Sequence, residues 1–212
     1  MKATHRREYL PPLLAALFAA AVYFNALSGD FTFDDCFVLH QAEIVNRHDF
    51  RLTDWIPPRY YEISGERSYR PVVTLSYFLQ QHLWSVGGGG GFNPFYYKLG
   101  NIMLHIAAVL LAWPIARFVL RPKPALFAIM VFAAHAAGTS AVNAIGFRED
   151  ILALVFMEIS FLLFIEWLRR RGRFVALGLF LSGLFAVLSK ENAYVLPIIM
   201  TGTVLAFNRE WR

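Results

Sequence analysis

The chain has 212 residues, of which 57% are hydrophobic and only 17% charged. Soluble domains carry roughly 25% charged residues, and a water-soluble fold of this size has too little interior for so much apolar surface, so lipid is the expected solvent. The net charge of +5 comes from basic residues scattered among apolar runs, the pattern of a membrane protein rather than the one-sided basic face of a nucleic-acid binder.

A helix needs about 20 mostly apolar residues to cross a bilayer. In chain order, the stretches that meet or approach this are 9–27, 96–120, 125–146, 151–168, 174–189 and 193–207, the last two being short. The first is read as a retained helix. Lys2, Arg6 and Arg7 would also suit a signal peptide, but the apolar run is long for one. Threading six helices leaves segments 1–8, 117–124, 169–173 and 208–212 on one side, with 12 of the 20 basic residues and two acids. The other side holds 11 of the 15 acids. Basic loops mark the cytoplasm, so the acidic side is outside.

The outer segment 28–94 opens with "SGDFTFDDCFVLH". It continues through "EIVNRHDFRLTDWIPP" and "RPVVTLSYFLQQHLWSV", each expected as an amphipathic helix lying at the interface. Trp55 and Trp84 would be headgroup anchors, and the glycine run 87–91 a flexible hinge. The single cysteine, Cys36, excludes an internal disulfide framework and a cysteine-based zinc site.

The threading delivers the polar clusters to one level. Asp34 and Asp35 follow the first helix. Arg148, Glu149 and Asp150 lie in the turn "GFRED", and Lys190 and Glu191 in the turn "SKEN". His135 lies near the outer part of the third helix. Each has an ordinary explanation. Asp34 or Asp35 suits a helix cap, Glu149 and Asp150 complement a helix dipole, and Lys190 and Glu191 suit a solvated turn. His105 and Asn101 suit interhelical hydrogen bonds, and Glu158 is near enough to the outer end of its helix to reach a polar cavity. The clustering points to a site. Transfer of a sugar from a polyprenyl phosphate fits such a set: cations hold the leaving phosphate and a carboxylate takes the proton of the acceptor hydroxyl. No phosphate-binding glycine loop is present, since the run 87–91 lacks a following Lys-Ser/Thr and a preceding strand.

The ordered segments "LSGDFTFDDCFVL", "SYRPVVTLSYFL", "NPFYYKLGNIMLHIAAVLL", "FAAHAAGTSAVNAIGFREDILA" and "LSKENAYVLP" resemble the GT-C membrane glycosyltransferases. The likeness is to the transmembrane and tetratricopeptide-repeat O-mannosyltransferase-like branch and, more distantly, to the protein O-mannosyltransferases. It covers residues 9–205. It implies a polyprenyl-phosphate-sugar donor, transfer on the non-cytoplasmic face, membrane-parallel helices in the first outer loop, and an Asp there as base. The first acid of the Phe-Asp-Asp pattern is Asp34, with Asp35 in support. The Arg-x-Asp pattern matches Arg148 and Asp150, and the Lys-Glu pattern Lys190 and Glu191.

The expected catalytic set is Asp34, Asp35 and Asp150. Arg148 and Lys190 are expected to cradle the phosphate, and Glu149, Glu191, Arg70 and His135 to contact substrate. The sequence departs from the family where Ala136 follows His135, Ser140 precedes Ala141, and Phe147 precedes Arg148. The expectation is therefore an all-α polytopic membrane protein whose residues 1–212 form the N-terminal portion of a GT-C transmembrane domain, incomplete at the C-terminus. A bacterial inner membrane with the site facing the periplasm or exterior is expected. Partners would be membrane lipid, the lipid-linked donor and a protein or glycan acceptor, with no nucleic acid. No cofactor is assigned, and the paired acids leave a divalent metal open. The rival readings are a transporter or flippase for a lipid-linked or anionic substrate, and a non-catalytic membrane subunit.

Overall fold

A computed structural model describes residues 2–32, 34–47, 49–85 and 92–207, with the side chains of 2–9, 84 and 85 left aside. The expected hinge 87–91, the side chain of Trp84 and the basic segment 208–212 lie outside the described residues.

The described residues form helices and turns only. The helices are α1 (Lys2–Tyr23), α2 (Glu43–Asn46), α3 (Arg59–Ile63), α4 (Pro71–Ser85), α5 (Pro94–Val119), α6 (Pro122–Ala133), α7 (Thr139–Asn143), α8 (Arg148–Arg170), α9 (Arg173–Ser189) and α10 (Leu196–Phe207). Local chemistry sets their ends. Asn93 caps α5 by accepting from the Phe95 N–H at 3.0 Å, with Pro94 in the first turn. α8 begins with Glu149 and Asp150 and ends on Arg169 and Arg170, as its dipole favours.

Among the described residues three segments are long and apolar enough to cross a membrane: Leu10–Ser28, Pro94–Val119 and Ile145–Arg170. The expected third span is instead a broken one, α6 and Ala136–Asn143 meeting at 43°. At the break His135 turns its ring back and accepts from the Ala137 N–H at 3.2 Å, opening a new turn rather than extending α6. The last two expected spans are shorter apolar helices, Arg173–Ser189 and Glu191–Phe207. Among the described residues six full spans are thus not confirmed; by length and composition there are three, or four with the bent pair counted as one.

α5 sits at the centre, packed by α1, α6 and α8, and α9 lies along α8. Ala15, Ala19, Val109, Ile129 and Ala133 form one buried cluster, and its small side chains let the helices approach closely. Outward faces are strongly apolar: Phe127 and Phe174 are 72% and 76% exposed. Such helices associate with a membrane, since water would leave these surfaces unburied.

The segment expected as the first outer loop, 28–94, has its own core, in which Leu39, Ile44, Val45, Ile63, Val73 and Tyr77 pack with Ile145 and Leu152. The expected amphipathic helix α4 is present. The other expected helix, over 43–58, is not continuous: α2 lasts four residues and a 3-10 turn spans Leu52–Trp55. Asn46 folds its amide onto the Leu39 and Ala42 carbonyls at 3.0 and 2.9 Å, and Arg47 pairs with Asp54 across the gap. These side-chain bonds compete with helix continuation.

Candidate functional site

The two adjacent acids after α1 are placed differently. Asp35 is fully buried. Its Oδ2 accepts from the Thr32 N–H and its Oδ1 from the Gly146 N–H, both at 2.7 Å. It ties the segment after α1 to the turn that starts α8. Asp34 is left exposed by the same arrangement and lines a cavity of about 510 Å³ with Phe37, Val38, Gly65, Glu66, Arg67, Ser68 and Arg70. Gly65 makes this wall possible. Its φ is +72°, and a Cβ there would lie 2.1 Å from the Phe37 carbonyl oxygen, so only glycine fits.

Arg70 joins this cavity to the turns before α8 and after α9. It donates through Nη1 to Glu149 Oε1 at 3.2 Å and through Nη2 to both Glu191 oxygens at 3.1 and 3.2 Å. Lys190 Nζ lies 2.7 Å from Asp150 Oδ1 and 3.5 Å from Glu149 Oε1. The structure thus brings Arg70, Glu149, Asp150, Lys190 and Glu191 into one network from three separate segments. Burial works against the Arg70 charge, but Glu149 and Glu191 outweigh it and raise its pKa. The Arg70 Nε–H has no hydrogen-bond partner among the described residues.

Arg148 is not brought to the cavity. Only 2% exposed, it turns inward and donates from Nε to Asn101 Oδ1 at 2.7 Å and from Nη2 to the Tyr97 carbonyl at 3.0 Å. Its guanidinium lies 4.5 Å from the Tyr77 ring centroid, within cation–π range. The Tyr77 hydroxyl in turn donates to the Ile145 carbonyl at 2.6 Å. The expected phosphate ligand is therefore spent on holding α8 to α4 and α5.

His135 and Asp150 line a second cavity, of about 600 Å³, walled by Val131, Phe132, Ile151 and Leu154. The third expected catalytic acid thus lines a different cavity from Asp34. His105, at the same second cavity, faces the Ala133 carbonyl through Nε2 at 3.0 Å. Glu158 lies apart in an apolar pocket between α5, α8 and α10, and its Oε2 has no partner among the described residues.

Sequence reasoning missed Glu66 and Arg67. Glu66 is half-buried, and burial, with Glu149 adding to it and Arg70 opposing it, pushes its carboxyl up to about 7. The one signal in the sequence was "GERSYR", a glycine immediately before three closely spaced charges, but nothing in that spacing aims them at Asp34. Among the described residues no group of three or more His, Cys, Asp or Glu side chains could hold a metal ion, so no metal role is assigned.

No family model matches the chain, and no solved structure does. Curated relatives do. The chain is 32% identical to the human protein O-mannosyl-transferase TMTC2 over 93% of its own length and 24% of the relative's. It is 28% identical to the human protein O-mannosyl-transferase TMTC4, over 86% and 28%, and 30% identical to mouse protein O-mannosyl-transferase TMTC1, over 72% and 17%. Over most of its length, therefore, the chain resembles the O-mannosyltransferase-like group. It spans about a quarter of the length of the first two of these relatives. These relatives are animal proteins and lend no support to the expected bacterial membrane.

Proposed function

We propose that this chain carries the acceptor-activating site of a membrane glycosyltransferase of GT-C type. It would move a sugar from a polyprenyl-phosphate donor to a protein hydroxyl on the non-cytoplasmic face of the membrane. The names of the relatives suggest mannose as the sugar and a protein as the acceptor. The observation that carries the reading is the exposed carboxylate of Asp34 at the wall of an open cavity that also bears Arg67 and Arg70. Asp34 takes the proton of the acceptor hydroxyl. The acceptor oxygen bonds to the anomeric carbon as the bond from that carbon to the phosphate oxygen breaks, and the electron pair leaves on the phosphate.

Arg67 makes no ion pair among the described residues and, with Arg70, meets the phosphate charge. Asp35 is a positioning residue through its hold on Gly146. Glu149, Asp150, Lys190 and Glu191 hold Arg70 and the turns around it. The outward direction of the site rests on the asymmetry of basic residues.

A carrier would need polar groups converging near the midplane. Against that, His105 is bonded to a backbone carbonyl and Glu158 faces apolar side chains. The test is incubation of the native membrane protein with polyprenyl-phosphoryl mannose and a Ser/Thr peptide. Covalent sugar on the peptide supports the enzyme, whereas movement of the intact lipid between leaflets without bond cleavage contradicts it.

A further inference from the structure

The Asp34 cavity contains a second carboxyl. Glu66 leads the same wall as Arg67 and Arg70, immediately after the left-handed Gly65. It makes no ion pair among the described residues, and the Arg70 Nη groups bond Glu149 and Glu191 instead. It is not a helix cap, and Arg70 acts on it only through space. It is a half-buried acid facing a void large enough for a sugar phosphate, beside a cation, Arg67, with no partner of its own.

We propose that Glu66 is a ligand-contacting residue of this cavity, whose carboxylic O–H donates a hydrogen bond to an anionic oxygen of the donor's phosphodiester. The proposal rests on the glycosyltransferase reading for the identity of that ligand. Its electrostatic logic is local. An ionised Glu66 would oppose a phosphate and compete with it for Arg67. A protonated Glu66 removes that charge and adds a donor, leaving Arg67 free for the anion.

Burial raises the Glu66 carboxyl to about 7, so the acid form is populated at neutral pH. The charged and titratable groups around it are Asp34, from the turn after the first helix; Arg67 and Arg70, on its own segment; Glu149, from α8; Tyr60, from α3; and Tyr77, from α4. The sign follows directly. The protonated form is half populated at about pH 7, nearly complete a unit or so below it, and declines toward about tenfold per pH unit above it, so donor affinity is highest on the acid side and falls on the alkaline side.

The test uses a short-chain prenyl phosphoryl mannose, a phosphodiester whose single charge does not change between pH 5.5 and 8.5, with binding to the native protein measured across that range. The expected result is nearly constant affinity below about pH 6, a halving at about pH 7 and a loss approaching tenfold per unit above it. Glu66→Gln, whose amide still donates, should bind at pH 8.5 more tightly than the native protein and show no such decline. Glu66→Ala should bind more weakly than Glu66→Gln at pH 6. A pH-independent native affinity, or the same decline in Glu66→Gln, overturns the proposal. Either result obtained alongside normal Asp34-dependent sugar transfer leaves the glycosyltransferase reading standing. Absence of donor binding at every pH overturns this proposal, and absence of transfer as well overturns that reading.

Discussion

Asp35 and Arg148 show what a buried charge does in this protein. Each spends its charge on buried hydrogen bonds: to two backbone N–H groups for Asp35 and to the Asn101 and Tyr97 oxygens for Arg148. The Tyr97 carbonyl lies inside α5, so removing the guanidinium strands chiefly the Asn101 side-chain oxygen, at about 1–3 kcal/mol. Arg148→Met should therefore destabilise the protein by roughly 1–3 kcal/mol, seen as a lower Tm in detergent, with donor affinity unchanged in whatever remains folded. A native Tm combined with lost donor affinity would return Arg148 to the phosphate. That Arg148 matters was legible from its place in "GFRED". Its direction was not, because a residue at the first turn of a helix can point to solvent or inward with no change in the pattern around it.

The elements that were legible are those with a period. α4, α5 and α8 are sustained helical patterns, and each is found. The segment 43–58 has the right composition for an amphipathic helix, yet Asn46, Arg47 and Asp54 bond across it and break it. The kink at His135 is likewise a side-chain-to-backbone bond that hydropathy does not register. Gly65 is a second such local determinant. Gly65→Ala combines a strained φ with a contact to the Phe37 carbonyl that no rotamer relieves. It should shift the 65–70 wall away from Asp34 and lower stability by more than the roughly 1 kcal/mol typical of glycine sites. Limited proteolysis of the outer loop reads this as faster cleavage; an unchanged rate and Tm would show that the wall tolerates a side chain.

For the molecule as a whole, the exposed apolar faces of α1, α6 and α9 fit a membrane, and the asymmetry of basic residues predicts one orientation in it. In a Cys36→Ser background, a cysteine replacing the exposed Arg51 should react with an impermeant thiol reagent added outside, and one replacing Gly172 should not. The reverse pattern would turn the site to the cytoplasm. The convergence of three outer turns was legible from that orientation, and the structure joins them through Arg70. The family resemblance points to the first acid of "FDD", Asp34; what was not legible is that Asp35 is buried and bonded to the Thr32 and Gly146 N–H groups while Asp34 is left exposed.

The most direct measurement is sugar transfer by Asp34→Asn in the native protein, with donor binding followed in parallel. General-base catalysis contributes about 10²–10⁴-fold, and the nearly isosteric amide keeps the shape of the cavity but cannot take the proton. Transfer should fall by at least about a hundredfold while donor affinity and Tm stay near native. Transfer at the native rate would contradict Asp34 as the base.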